Sequence, residues 1–190
     1  MKKKLVALVA SLALIGGLSY HYADQKIVAE AWYGEYNHAI YDNVDDLYKD
    51  STLVVSVTAT SNTKELSEQN FEYTDRYSVT EVNIDKVIKD QNNAVANSSS
   101  IPIIERAFTV DNGIVPGKTK LVADGYTTLV PGNKYILFLN WSEKRNAYWI
   151  HAVSQGKISI DGKDIKENKF ASKDETFQKL KDSVNKKFAH

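Results

Sequence analysis

The chain has no cysteine among its 190 residues, and that gap closes several routes at once. Disulfides, thiolate zinc sites, a cysteine nucleophile and a lipobox-type lipid anchor all need a thiol. A domain without them depends on its apolar core to stay folded. Net charge is also missing, since 24 Lys and Arg stand against 24 Asp and Glu. No nucleic-acid partner is expected from that balance, because such surfaces concentrate positive charge for the phosphates. Chemistry-bearing spacings are equally scarce. His21, His38, His151 and His190 show no metal-ligand spacing, and no His-Glu-x-x-His occurs. Neither a phosphate-cradling glycine loop nor a dinucleotide fingerprint is present. Asp42, Asp45 and Asp46 lack the glycine and terminal glutamate of a calcium loop and read as an acidic helix start. Ser154 lies close to His151 but has no nucleophile elbow around it. No catalytic residue, metal or cofactor is therefore expected, and His151 reads as a sheet histidine with its hydrogen bonds satisfied.

The N-terminus is informative. Lys2, Lys3 and Lys4 precede an apolar run from Leu5 to Leu18, the layout of a secretory signal and short of the ~20 apolar residues that span a bilayer. Gly17-Leu18-Ser19 offers small residues for cleavage, with Ala23 a second choice. An uncleaved segment would instead serve as an anchor, with Tyr20 and Tyr22 at the interface. Either way residues 1–23 touch a membrane and the rest of the chain lies outside the cytoplasm, secreted or anchored. A cysteine-free exported domain suits a bacterial cell surface.

Residues 24–42 form an acidic, aromatic spacer in which Val28, Trp32, Tyr36 and Ile40 recur every four residues. That spacing allows a helix with one apolar stripe, lying on the domain or docking a partner or membrane interface. Residues 43–190 form the main domain. Asn43 is placed to cap a short helix from Val44 to Lys49, with Asp45 and Asp46 opposing its dipole. Strands follow at Ser51 to Thr60, at Phe71 to Lys89 with a bulge between Val79 and Val82, and at Ile101 to Val110. Leu121 to Leu129 is a weaker strand. Ser61 to Asn70 and Asp90 to Ser100 read as loops.

Pro131-Gly132 then feeds the run Lys134 to Trp141. Tyr135, Leu137, Leu139 and Trp141 would face one side and Ile136 and Phe138 the other, so both sides of this strand are apolar and it belongs in the middle of the fold. A hairpin through Ser142 to Asn146 leads into Ala147 to Val153, and Asp161-Gly162 reads as a second hairpin turn. At the C-terminus Phe177, Leu180, Val184 and Phe188 share one helical face, with Ser172 and Glu175 as a capping box. This amphipathic helix is suited to cover the central strand, or, with its lysines, to lie on a membrane surface. The fold expected is mainly β: a small barrel with a short N-terminal helix and an amphipathic C-terminal helix.

Ser51-Thr-Leu-Val-Val55 after an acidic helix, Tyr77-Ser-Val79 running to Ile84-Asp-Lys-Val-Ile-Lys89, Gly132-Asn-Lys-Tyr-Ile-Leu-Phe-Leu139, and Tyr148-Trp-Ile through Gln155-Gly-Lys-Ile158 resemble an exported domain of uncharacterised proteins from Gram-positive bacteria. More distantly, the layout over residues 43–165 is similar to the netrin-like module and the tissue inhibitors of metalloproteinases. The resemblance implies an OB-like barrel. Those inhibitors chelate a protease zinc through an N-terminal cysteine, which this chain lacks, so it implies no inhibitory mechanism here.

What remains is surface. Trp141, Tyr148 and Trp149 flank one hairpin, Tyr148 and Trp149 point opposite ways, and exposed rings there would bind a ligand, while buried ones would cap the core. The expectation is a non-catalytic binding module at the cell envelope, taking a protein or cell-wall component. The alternative is an envelope hydrolase whose carboxylates, raised in pKa, converge only in three dimensions.

Overall fold

A computed structural model describes residues 19–34, 39–69, 74–123 and 125–188. The Leu5–Leu18 run, Tyr36, His38 and His190 lie outside these residues. The fold is mainly β, with a short helix near the N-terminus and a helix at the C-terminus. In order, the elements are β1 (Ile27–Tyr33), α1 (Val44–Asp50), β2 (Leu53–Gln69), β3 (Thr74–Asp90), β4 (Ser100–Glu105), β5 (Ala107–Asp111), β6 (Lys118–Ala123), β7 (Lys134–Ser142), β8 (Ala147–Ile150), a 3-10 turn (Val153–Gly156), β9 (Lys157–Ser159), α2 (Ile165–Ala171) and α3 (Glu175–Phe188). A three-stranded sheet has the order β1-β6-β5, and a six-stranded sheet the order β2-β3-β4-β8-β7-β9, with β2 also pairing β7. Among the described residues no helix is long and apolar enough to cross a membrane.

β7 is the strand expected at the centre. Tyr135 through Leu139 are buried without interruption, as a strand covered on both faces requires. Tyr135, Leu137 and Leu139 join Val55, Val57, Val82 and Ile103 in one apolar cluster. Ile136 and Phe138 join Leu47, Phe177, Leu180 and Val184 in another. The C-terminal helix therefore spends its apolar face on β7, as the covering arrangement anticipated. Trp141 departs from the pattern: it lies past the buried run and is 37% exposed.

The helix starts follow side-chain capping. Asn43 caps α1, its Oδ1 accepting from Asp46 N at 2.9 Å. α3 is capped by Asp174, whose Oδ1 accepts from Phe177 N at 2.9 Å. Ser172, the expected cap, instead closes α2, donating from Oγ to the Lys169 carbonyl at 2.9 Å. The Asp161-Gly162 turn does not make a hairpin either. Gly162 takes the positive φ of 69° that a turn needs, but Asp164 then caps a helix through Glu167 N at 3.0 Å, and an Asp-x-x-Glu start competes successfully with strand pairing.

Those two helices are tied down by buried charge. Lys157 and Glu167 are each 1% exposed, and Lys157 Nζ lies 2.8 Å from Glu167 and 3.2 Å from Asp164. Lys181 Nζ of α3 reaches the other Glu167 oxygen at 2.9 Å, and Ser159 N of β9 donates to the same atom at 2.8 Å. Tyr135 Oη donates to Asp164 at 3.0 Å. Two cations and two anions thus cancel, and each carboxylate has several donors, the condition under which buried ions are tolerated.

Four other expectations need correction. Ile27–Tyr33 is a strand, paired in parallel with β6 from Lys118 to Ala123, and not a helical stripe; its Val28 and Trp32 stay exposed, so backbone pairing and not an apolar seam sets its structure. Ser61 to Gln69 is strand, not loop. From Thr63 on it pairs with Thr74–Thr80; the β2 half of this arm is mostly exposed, while Tyr77, Ser78 and Thr80 of the β3 half are buried and Thr63 Oγ1 bonds Thr80 Oγ1 at 2.9 Å. The β3 register against β4 is unbroken from Ser78 to Asn83, so Val79 and Val82 simply lie on opposite faces. The register of β2 against β3 shifts elsewhere: the extra residues lie on β2 between Ala59 and Thr63, opposite Val82 and Thr80, and on β3 between Ile84 and Lys86 and between Val87 and Lys89. Finally, the Ile101–Val110 stretch divides at Arg106 into β4 and β5, which belong to different sheets.

Replacing Glu167 by Ala leaves Lys157 and Lys181 without their shared partner, and an urea unfolding curve should record a loss of about 3–5 kcal/mol. Lys179, 71% exposed and paired with Glu175 at 2.7 Å, should cost under about 1 kcal/mol when replaced by Ala. Equal effects at the two positions would contradict the buried network.

Candidate functional site

The β7–β8 hairpin carries all three aromatic residues that the sequence singles out, and its pleat sends them to two sides. Trp141 pairs directly with Tyr148, and Asn140 with Trp149. Successive side chains alternate between faces. Trp141 and Tyr148 therefore share one face, meeting edge to face with ring centroids 4.8 Å apart, and Trp149 stands on the other. Tyr148 is buried, while Trp141 and Trp149 are each 37% exposed. The three do not form one platform.

On the Trp141 side lies a recess of about 470 Å³, with Leu53, Ile101 and Tyr148 apolar and Asn92, Ser98 and Glu143 polar. Its outer wall is the loop after β3, which sequence reading passed over as featureless. That loop is anchored by one carboxylate. Asp90 accepts from Ala94 N and from Val95 N, each at 2.9 Å, and Val95 sits in the main apolar cluster. Burial, helped by the Asp90 charge, pushes the Tyr148 hydroxyl above its ordinary pKa. It therefore stays a protonated donor. An aromatic wall beside amide, hydroxyl and carboxylate groups is chemistry for holding a polar ligand that has apolar faces.

On the Trp149 side is a second recess of about 370 Å³, bordered by Ile104, Arg106, Tyr126, Arg145, Trp149 and His151. Arg145 is committed to the arm: its Nε lies 3.6 Å from Glu68, it pairs with Asp75, and it covers the Tyr77 ring at 4.2 Å. The backbone beyond His151 is unusual. Ala152 and Val153 both have positive φ, 55° and 52°, which a β-branched residue adopts only under constraint. At Gly156 a Cβ would meet the His151 carbonyl oxygen at 1.9 Å, so no side chain fits there.

His151 is satisfied, in a turn after β8 and not on the strand itself. The Asn140 amide is oriented by Thr52 N, which donates to its Oδ1 at 2.8 Å, so its Nδ2 faces His151 Nδ1 at 3.1 Å. Nδ1 must then accept, and Nε2–H donates to Tyr41 Oη at 2.6 Å. Tyr41 Oη in turn donates to Asp50 Oδ2 at 3.0 Å. This chain of bonds fixes the neutral tautomer. Burial lowers the His151 pKa, with the Asp50 charge opposing, and burial together with Asp50 raises that of Tyr41.

The five carboxylates with a displaced pKa, Glu68, Glu81, Asp161, Asp164 and Glu175, are all lowered, the wrong direction for a general acid. Glu68 lies below its ordinary range beside Lys144 and Tyr77, Glu81 beneath Ser100 and Asn62, and Glu175 beside Lys179. At Asp161 and Asp164 burial pushes upward but is outweighed, by backbone N–H donors in the first and by Lys157 with the Glu167 N–H in the second. The buried Glu105 accepts from Tyr126 Oη at 2.9 Å and Leu129 N at 2.7 Å and braces the strand ends. Among the described residues, no cluster of three or more His, Asp or Glu side chains is placed to hold a metal. Comparison with protein-family models, with curated proteins and with solved structures gave no match for the chain.

Because the folded pKa of His151 is depressed, the unfolded chain binds its proton first as pH falls. Stability attributable to this group is complete above about 6.5 and is lost on acidification below it. The wild-type melting temperature should drop over that interval more than that of His151→Gln. Parallel pH profiles for the two proteins would contradict the bonding scheme.

Proposed function

We propose that the chain is an exported, non-catalytic binding module of a bacterial cell envelope, and that its ligand, a cell-wall component or protein, lies against the Trp141–Tyr148 recess. The observation that carries this reading is the exposed Trp141 ring, braced edge-on by Tyr148 at the mouth of a 470 Å³ recess with polar groups at its rim. A large side chain left half in water beside a formed concavity is the usual signature of a binding hot spot. Compartment rests on the sequence of the first 23 residues, which supports release or anchoring outside the cytoplasm.

The strand pairings support an OB-like barrel as the finer fold. β2 pairs β3, β3 pairs β4, β4 pairs β8 in parallel, β8 pairs β7, and β7 returns to β2. That circuit of five strands supports a partly open barrel of the OB-fold kind, in keeping with the resemblance to netrin-like modules. Without a cysteine, binding through this fold has to use side-chain surface. The hydrolase alternative draws little support, since the displaced carboxylates are all lowered and a general acid needs a raised one.

Cell-wall fragments added to the protein should perturb its tryptophan fluorescence, and Trp141→Ala should weaken binding by roughly tenfold or more while leaving the melting temperature near wild type. Turnover of those fragments, or unchanged affinity in Trp141→Ala, would overturn the proposal.

A further inference from the structure

The turn between β5 and β6 displays two aliphatic side chains to solvent, with Ile114 94% and Val115 65% exposed. The turn is not loose. Gly117 N donates to Asp24 Oδ1 at 3.2 Å, Lys118 N donates to the Lys26 carbonyl at 2.8 Å, and Tyr20 Oη donates to the Ile114 carbonyl at 3.0 Å. Gly117 packs so closely that a Cβ there would meet Val28 at 2.7 Å, and its φ of 109° also requires glycine. Hydrogen bonds and a glycine are thus committed to holding Ile114 and Val115 outward. Water offers no return for that arrangement, because aliphatic area left in water is unfavourable relative to an apolar surrounding.

The chain itself says what lies beside them. Tyr20 follows Leu18, the end of the apolar run, by two residues, which is at most about 7 Å of extended chain. Where that run is held in a bilayer, Tyr20 lies at the surface of the bilayer, and the Ile114 carbonyl bonded to Tyr20 lies there too. Tyr22 and Ile27 are also exposed, Ile27 pairs with Lys118 at the end of the turn, and Lys26 sits over the Tyr22 ring at 4.3 Å. Tyrosine is enriched at both membrane interfaces, where its ring is apolar and its hydroxyl wet. Local charge is balanced, Lys26 and Lys118 against Asp24 and Asp111, so apolar area and not headgroup charge supplies the attraction.

We infer that the Ile114–Val115 turn is a second membrane contact, an apolar wedge that dips into the lipid interface beside the N-terminal segment and fixes the orientation of the domain on the membrane. The wedge rests on the anchored form of the reading above. One contact alone would leave the domain free to swivel. Two contacts hold the three-stranded sheet against the surface.

The absence of cysteine makes the test clean, since a single introduced thiol takes the only label. The full-length Val115→Cys and Glu143→Cys proteins, each carrying an environment-sensitive fluorophore, are mixed with phosphatidylcholine vesicles and with vesicles containing phosphatidylglycerol. Flotation reports anchoring separately. The wedge predicts a blue shift and quenching by lipid-borne nitroxide at position 115 in both vesicle types, with neither at 143. A floating protein whose 115 label stays in water would overturn the wedge and leave the anchor standing. A protein that does not float would remove both. A blue shift at 115 that appears without vesicles and grows with protein concentration would assign the turn to a second copy of the chain and overturn the lipid contact.

Discussion

The double burial of β7 is the constraint on which the rest depends. A strand with apolar side chains on both faces cannot stand at a surface, so it needs a layer on each side. Tyr135, Leu137 and Leu139 draw in the other strands, and Ile136 and Phe138 draw in α1 and α3. The helical layer is then locked by charge: Lys157, Asp164, Glu167 and Lys181 meet where β9, α2 and α3 converge. Tyr135 belongs to both systems, packed in one cluster and donating to Asp164 at 3.0 Å.

The placement of the candidate site follows from where that burial stops. Past Leu139 the strand emerges from the core, and Asn140, Trp141 and the β8 residues opposite them form its rim. The pleat divides Trp141 with Tyr148 from Trp149, so two recesses back onto one hairpin. The side toward Trp149 is filled with committed groups: Arg145 with Glu68 and Asp75, His151 with Tyr41 and Asn140. On the side toward Trp141 the anchored loop after Asp90 leaves a wall and a floor, and that difference favours the Trp141 face for a ligand.

Much of this was legible in the sequence wherever burial wrote a pattern. β7, the helical face of Phe177, Leu180 and Val184, the Asn43 cap and the opposed Tyr148 and Trp149 side chains all follow from period and capping chemistry. Reading failed where structure does not depend on apolar periodicity. The stretch from Thr63 to Gln69 is polar apart from Leu66, and β1 is held by backbone pairing with every side chain but Tyr33 largely exposed, so neither carries an alternation to detect. Asp164 and Asp174 as caps were recoverable, since each stands at the start of its helix; Ser172 and the Asp161-Gly162 turn drew attention away from them. The Tyr41–His151 bond, at 2.6 Å across 110 positions, has no local signal at all.

If β7 joins both layers, its backbone should open only when the whole domain does. Native-state hydrogen exchange over Tyr135 to Leu139 is the direct measurement. The account predicts that these amides exchange last, together with those of β2 opposite them and of α3 around Leu180, and with one common denaturant dependence. Exchange of β7 through a local opening, while β3 and β4 stay protected, would contradict it.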